Sequence, residues 1–165
     1  MGVFCVSRCD PATGAYRDTI RFVVPEALAF VVVSPRVELL TKESRGVLPA
    51  TLPYFDAVKS INSASYLGAA VASGYEALRR DASGDFMHEP YRLPKIPGAR
   101  QAIASGVEVG ALTGWLSGSG SSVLCVAEKK AAEPVLRAMG AAFSAVGIES
   151  DGRVLAADNG GLRLD

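Results

Sequence analysis

Histidine is nearly missing from this chain, cysteine is sparse, and neither sign of charge is in surplus. The single histidine, His88, excludes histidine-rich metal sites and leaves little room for a histidine-based triad. The three cysteines, Cys5, Cys9 and Cys125, make no disulfide framework, and an odd, sparse set fits a reducing cytoplasm. Cys5 and Cys9 have no further Cys or His pair to complete a metal site. Seventeen basic residues balance seventeen acidic ones, and no basic block stands out, so nucleic acid and anionic membrane are not expected partners. No apolar run is long enough to span a bilayer, and the amino terminus lacks the basic and apolar regions of a signal peptide. What remains is a 165-residue chain, 49% apolar, with material for one core of ordinary size.

The stretch Gly110–Val126, GALTGWLSGSGSSVLCV, carries the strongest local signal. Two short apolar segments flank Ser117-Gly118-Ser119-Gly120-Ser121, which has too little side chain to pack a core. Glycines lack the Cβ that would hold a ligand away, so such a loop can bring several backbone N–H groups close to a phosphate. No Gly-Lys-Ser/Thr follows, which excludes a Walker loop. A strand rather than a helix comes next, which excludes a Rossmann loop. A plain hairpin turn without a ligand explains the same residues equally well.

Along the chain, Val3–Val6 and Asp18–Val24 read as strands of a hairpin turning at Asp10–Gly14. Leu28–Val33 is an apolar run expected as a strand buried on both faces. Thr41 suits a helix N-cap, with Glu43 in the first turn and Pro49 stopping the helix. Arg45 lies four residues on, able to share a face with Thr41. A long core helix is expected from about Phe55 to Arg80, on the spacing of Val58, Ile61, Leu67, Val71, Tyr75 and Leu78. Asp81–Gly98 is a proline-bearing irregular segment that includes His88-Glu89-Pro90-Tyr91-Arg92. Ala99–Glu108 and Glu128–Phe143 are expected as helices, and a last strand begins at Gly147-Ile148. Strands grouped around helix pairs suggest an α+β two-layer sandwich, a mainly antiparallel sheet packed against helices.

Three stretches in sequence, VVVSPRVELLTKESRGVLP (31–49), HEPYRLPKIPG (88–98) and GALTGWLSGSGSSVLCV (110–126), resemble the carboxy-terminal half of the homoserine kinases. These belong to the GHMP small-molecule kinases. The resemblance runs from about residue 20 to residue 165, and two departures stand out. Ser121 occupies a position where the family usually has proline, and Ser60 one where it often has asparagine.

The resemblance implies the carboxy-terminal domain fold of those kinases over residues 28–165, with residues 1–27 a hairpin remnant of an amino-terminal kinase domain. It implies ATP-dependent phosphorylation of the L-homoserine hydroxyl, a step of threonine biosynthesis, with ATP and Mg²⁺ as cofactors and a cytoplasmic homodimer. Thr41, Arg45 and Arg92 match substrate-binding positions, the arginines meeting the carboxylate, as a guanidinium fork can. Ser117, Gly118, Ser119 and Gly120 match the phosphate and substrate loop. No residue here matches a catalytic or metal-binding position. The family's nucleotide loop, a Gly/Ser-rich stretch opening a helix, has no counterpart in these 165 residues. The expectation is therefore a substrate-side half that lacks the ATP loop and is inactive alone. A stand-alone amino-acid-binding module and an inactive remnant are the competing readings. An exposed apolar face is expected where an amino-terminal half would dock.

Overall fold

The computed structural model describes residues 4–37, 46–79 and 84–160. Its centre is a four-stranded sheet in the order β4-β5-β3-β6, built from β3 (Leu28–Pro35), β4 (Ala111–Leu116), β5 (Val123–Glu128) and β6 (Ser150–Leu155). Every neighbouring pair is antiparallel. β1 (Phe4–Cys9) and β2 (Tyr16–Phe22) make a separate antiparallel hairpin. Among the described residues four α-helices have defined bounds, α1 (Tyr54–Ala72), α2 (Glu89–Arg92), α3 (Ala99–Glu108) and α4 (Ala132–Ser144). This is the expected α+β sandwich of antiparallel sheet against helices.

Alternation along β3 divides the sheet into two faces. Ala29, Val31 and Val33 point into the main core with Val123, Cys125 and Ala127 of β5. There α3 and α4 cover them with Ala99, Ala102, Val135, Met139 and Phe143, and Leu93 and Ile96 plug in from the irregular segment. The opposite face carries Leu28, Phe30 and Val126 into a smaller cluster with Leu67 and Ala70 of α1 and with Leu78 and Trp115. Phe30 and Val32 are only half-buried, so β3 is sealed on one face rather than on both.

The helix expected over residues 55–80 is shorter. α1 stops at Ala72 because Gly74 (φ +111°) and Tyr75 (φ +66°) turn left-handed, and the Tyr75 N–H bonds back to the Ala70 carbonyl at 2.9 Å. That is a Schellman stop, which glycine permits without strain. A single 3₁₀ turn, Glu76–Arg79, follows. Nor is α1 a core helix along its length. Tyr54 (76% exposed), Phe55 (72%) and Ile61 (61%) face outward. Val6 and Ile20 on the hairpin are exposed as well. No helix among the described residues is long and apolar enough to cross a membrane.

The hairpin turn is fixed by Asp10. Its Oδ1 accepts from the N–H groups of Ala12 (3.0 Å) and Thr13 (2.9 Å), while Arg17 bonds its other oxygen. Residues 41–45 of the helix expected from Thr41 lie outside the described residues, and Gly46, which follows them, is helical.

Candidate functional site

The site is built where β4 ends. Ser117 N–H donates to the Ser122 carbonyl at 2.9 Å and Gly120 N–H to the Ser117 carbonyl at 3.2 Å, closing the expected glycine loop between β4 and β5. Gly120 takes φ +98°, which strains any side chain there, and a Cβ would also lie a tight 3.0 Å from Ile96 Cδ1. A Cβ at Gly118 would meet nothing within 4 Å, which leaves the loop tip open to solvent. At the loop's base the Ser122 and Ser34 hydroxyls share a 2.7 Å hydrogen bond. That bond brings the end of β3 beside the loop.

The irregular segment is pinned against this loop. Ser60, buried on α1, accepts from the Phe86 N–H at 2.9 Å. The Asp85 carboxylate gathers the N–H groups of Met87 (2.7 Å), His88 (3.2 Å) and Glu89 (3.3 Å). It also meets His88 Nε2 at 2.5 Å. Three backbone donors on one carboxylate fold the chain into α2, as a capping residue does. From α2, Arg92 Nη1 donates to the Gly118 carbonyl at 3.3 Å, and Glu89 Oε1 accepts from the Leu116 N–H at 2.5 Å.

Glu89 is the perturbed acid here. Burial pushes its carboxyl above the usual carboxylate range and nearby Asp85 adds to this, while the Leu116 N–H and Arg100 act the other way. Glu89 also lines a cavity of about 290 Å³, together with Ala64 and Leu67 of α1, Asp85, Met87, and Trp115 of β4 among others. His88 Nδ1 is buried with no hydrogen-bond partner among the described residues.

The structure thus brings Arg92 together with the loop formed by Ser117, Gly118, Ser119 and Gly120. Thr41 and Arg45 lie outside the described residues. Among the described residues no group of three or more His, Cys, Asp or Glu side chains is placed to hold a metal ion. The sequence reading passed over Glu89 and Asp85. Asp85 carried a signal, an aspartate just ahead of a proline-started helical turn. Glu89 carried none, since its partner is a backbone N–H on a distant strand.

The model for "GHMP kinases C terminal" matches residues 58–145, more than half of the chain. Homoserine kinase of Moorella thermoacetica is 41% identical over 141 residues, covering 86% of this chain and 47% of that protein. The corresponding kinase of Persephonella marina is 35% identical over 150 residues, covering 91% and 49%. The crystal structure of homoserine kinase from Cytophaga hutchinsonii superposes with a TM-score of 0.79 at 29% identity, over 85% of this chain and 45% of that one. Phosphomevalonate kinase of Streptococcus pneumoniae (TM-score 0.53, 14% identity) shares the fold alone. The chain spans about half the length of the curated relatives it matches. On the family match, the antiparallel sheet with its helix layer and the glycine loop between β4 and β5, this chain belongs to the GHMP kinases and carries their carboxy-terminal domain.

Proposed function

We propose that this chain is the substrate-side half of a homoserine kinase, an enzyme that moves the γ-phosphoryl group of ATP to the hydroxyl of L-homoserine. The observation that carries the reading is the Arg92 guanidinium held against the glycine loop at Gly118. A fixed guanidinium next to an open backbone loop suits a small amino acid with an anionic end. The similarity to homoserine kinases of known identity supports this choice of substrate over other small alcohols.

Phosphoryl transfer rests mainly on positioning and charge neutralisation. In this reading the chain positions the acceptor, through Arg92 with Arg45 and Thr41, and lines the phosphate path with Ser117–Gly120. When bound, ATP with Mg²⁺ supplies the phosphoryl group and neutralises its charge. Their cradle belongs to a nucleotide-binding half that these 165 residues do not include. In this reading the β1–β2 hairpin is the edge of that half. The exposed apolar residues Val6, Ile20, Phe55 and Ile61 support a docking face for it. Self-association into a homodimer is a further part of the reading, as is a cytoplasmic place in threonine biosynthesis.

The test is an assay of ADP release by the purified chain with ATP, Mg²⁺ and L-homoserine. No turnover above background is expected from the chain alone. Steady homoserine-dependent ADP release would overturn the assignment of a half that lacks its nucleotide cradle.

A further inference from the structure

We propose that Glu89 is a positioning residue that holds the 117–120 loop in register with Arg92. The inference rests on the reading of Arg92 and that loop as the substrate's site.

Among the described residues β4 is an edge strand of the four-stranded sheet, paired only with β5. The Ser117 N–H turns inward to the Ser122 carbonyl. Strand geometry then points the Leu116 N–H the other way, towards the open edge. A half-buried edge donor needs an acceptor, and Glu89 Oε1 supplies it at 2.5 Å. Glu89 and Arg92 sit three residues apart on one helical turn and so lie on one face of it. Their targets, Leu116 and the Gly118 carbonyl, are two residues apart. One turn of helix therefore grips both the strand end and the loop tip. That turn is itself anchored, by Asp85 on three N–H groups and by Ser60 on Phe86. Glu89 therefore adds to Arg92 a second side-chain tie between the segment and this end of β4, on a shorter arm.

The carboxyl is also a reporter. Burial raises its pKa; Asp85 from the preceding turn raises it further, while Arg100 of α3 and the Leu116 N–H lower it, and His88 and Arg92 flank it on its own element. Its titration is felt first at the Leu116 N–H and from there along the loop.

The experiment is a pH series of ¹H–¹⁵N spectra of the full chain, wild type, Glu89→Gln and Glu89→Ala, followed by L-homoserine titration of each. In the wild type the Leu116, Gly118 and Gly120 amides are expected to titrate together, with a midpoint above that of an ordinary glutamate. Glu89→Gln keeps an acceptor for Leu116, so the loop amides stay near their wild-type positions but lose the titration. Glu89→Ala is expected to broaden or shift the loop amides while α3 and α4 amides hold still. Homoserine affinity should fall about tenfold in Glu89→Ala, in line with loss of a buried hydrogen bond, and should recover in Glu89→Gln. Loop amides indifferent to pH in the wild type, or unchanged in a folded Glu89→Ala chain, would overturn the proposal. Should Glu89→Ala not fold, the wild-type and Glu89→Gln titrations decide alone. Loop amides that follow Glu89 in a chain that binds no homoserine would support the positioning role and defeat the substrate reading instead.

Discussion

Arg92 reaches across 26 residues of sequence to the carbonyl of Gly118, Nη1 to oxygen 3.3 Å. The contact matters because the two come from elements that nothing in the local sequence joins. Arg92 ends the short helix α2, and Gly118 tips the loop between β4 and β5. If this pair is part of a carboxylate site, Arg92→Ala removes a charged partner of the substrate, and a hydrogen bond to a charged group is worth about 1.5–3 kcal/mol. Homoserine affinity should then fall by roughly 10- to 100-fold, measured by calorimetry. Arg92→Lys should recover only part of it, since an ammonium cannot reproduce the fork.

Asp10 gives a pH prediction unrelated to the site. Arg17 first, then the Thr13 N–H and hydroxyl, hold its carboxyl down at about 2. A depressed folded-state pKa means that the unfolded chain binds the proton more readily. The contribution is therefore present above the ordinary aspartate value and is lost as pH falls towards 2. In Arg17→Ala the Asp10 carboxyl should titrate nearer its ordinary value, read by carbon-detected NMR. An unchanged titration would show that Arg17 is not the cause.

The sign reverses at Glu89. Its carboxyl is raised by burial, so the folded state holds the proton longer than the unfolded one. Stability should decline as pH climbs from the ordinary glutamate range through the raised value. Glu89→Gln should flatten that part of the pH–stability curve, measured by urea melts.

Burial also sets thiol reactivity. Cys125 is wholly buried on β5, and burial pushes its thiol up to about 12, whereas Cys5 and Cys9 are exposed on the hairpin. A native-state labelling time course should modify Cys5 and Cys9 promptly. Cys125 should react only as the chain unfolds, because the thiolate is the nucleophile. Prompt triple labelling, read by mass spectrometry, would contradict the packing described for β5.

Gly114 tests that packing from the other side. A Cβ there would come within 2.6 Å of Cys125 Sγ and 2.9 Å of the Leu124 carbonyl oxygen. Overpacking of this kind costs about 1–3 kcal/mol. Gly114→Ala should lower stability by that order in urea melts. Cys125→Ala should relieve only part of the loss, since the Leu124 oxygen is backbone.

Local chemistry made some of this fold legible. The Asp10–Gly14 turn announced itself because an Asp side chain and a left-handed glycine act within five residues. α3 matched its expected bounds of Ala99–Glu108 because glycines stand just outside both ends. The apolar spacing of α1 ran on past Ala72 to Leu78, so periodicity alone overran the stop at Gly74. Exposure along α1 could not be read either, since Ile61 obeys the helical spacing yet faces solvent. At the site, the loop and Arg92 were legible as residues, and their contact was not. Glu89 was invisible because its reason is an edge-strand N–H that exists only once the sheet has formed.

The central claim, a substrate-side half that holds homoserine at Arg92 and the glycine loop, meets its most direct test in one calorimetric titration. The purified chain is titrated with L-homoserine, with and without ATP and Mg²⁺. The account predicts saturable homoserine binding that does not need the nucleotide and no binding of ATP by itself. Absence of homoserine binding under either condition would contradict it, and Arg92 would then be an arginine that only braces a loop.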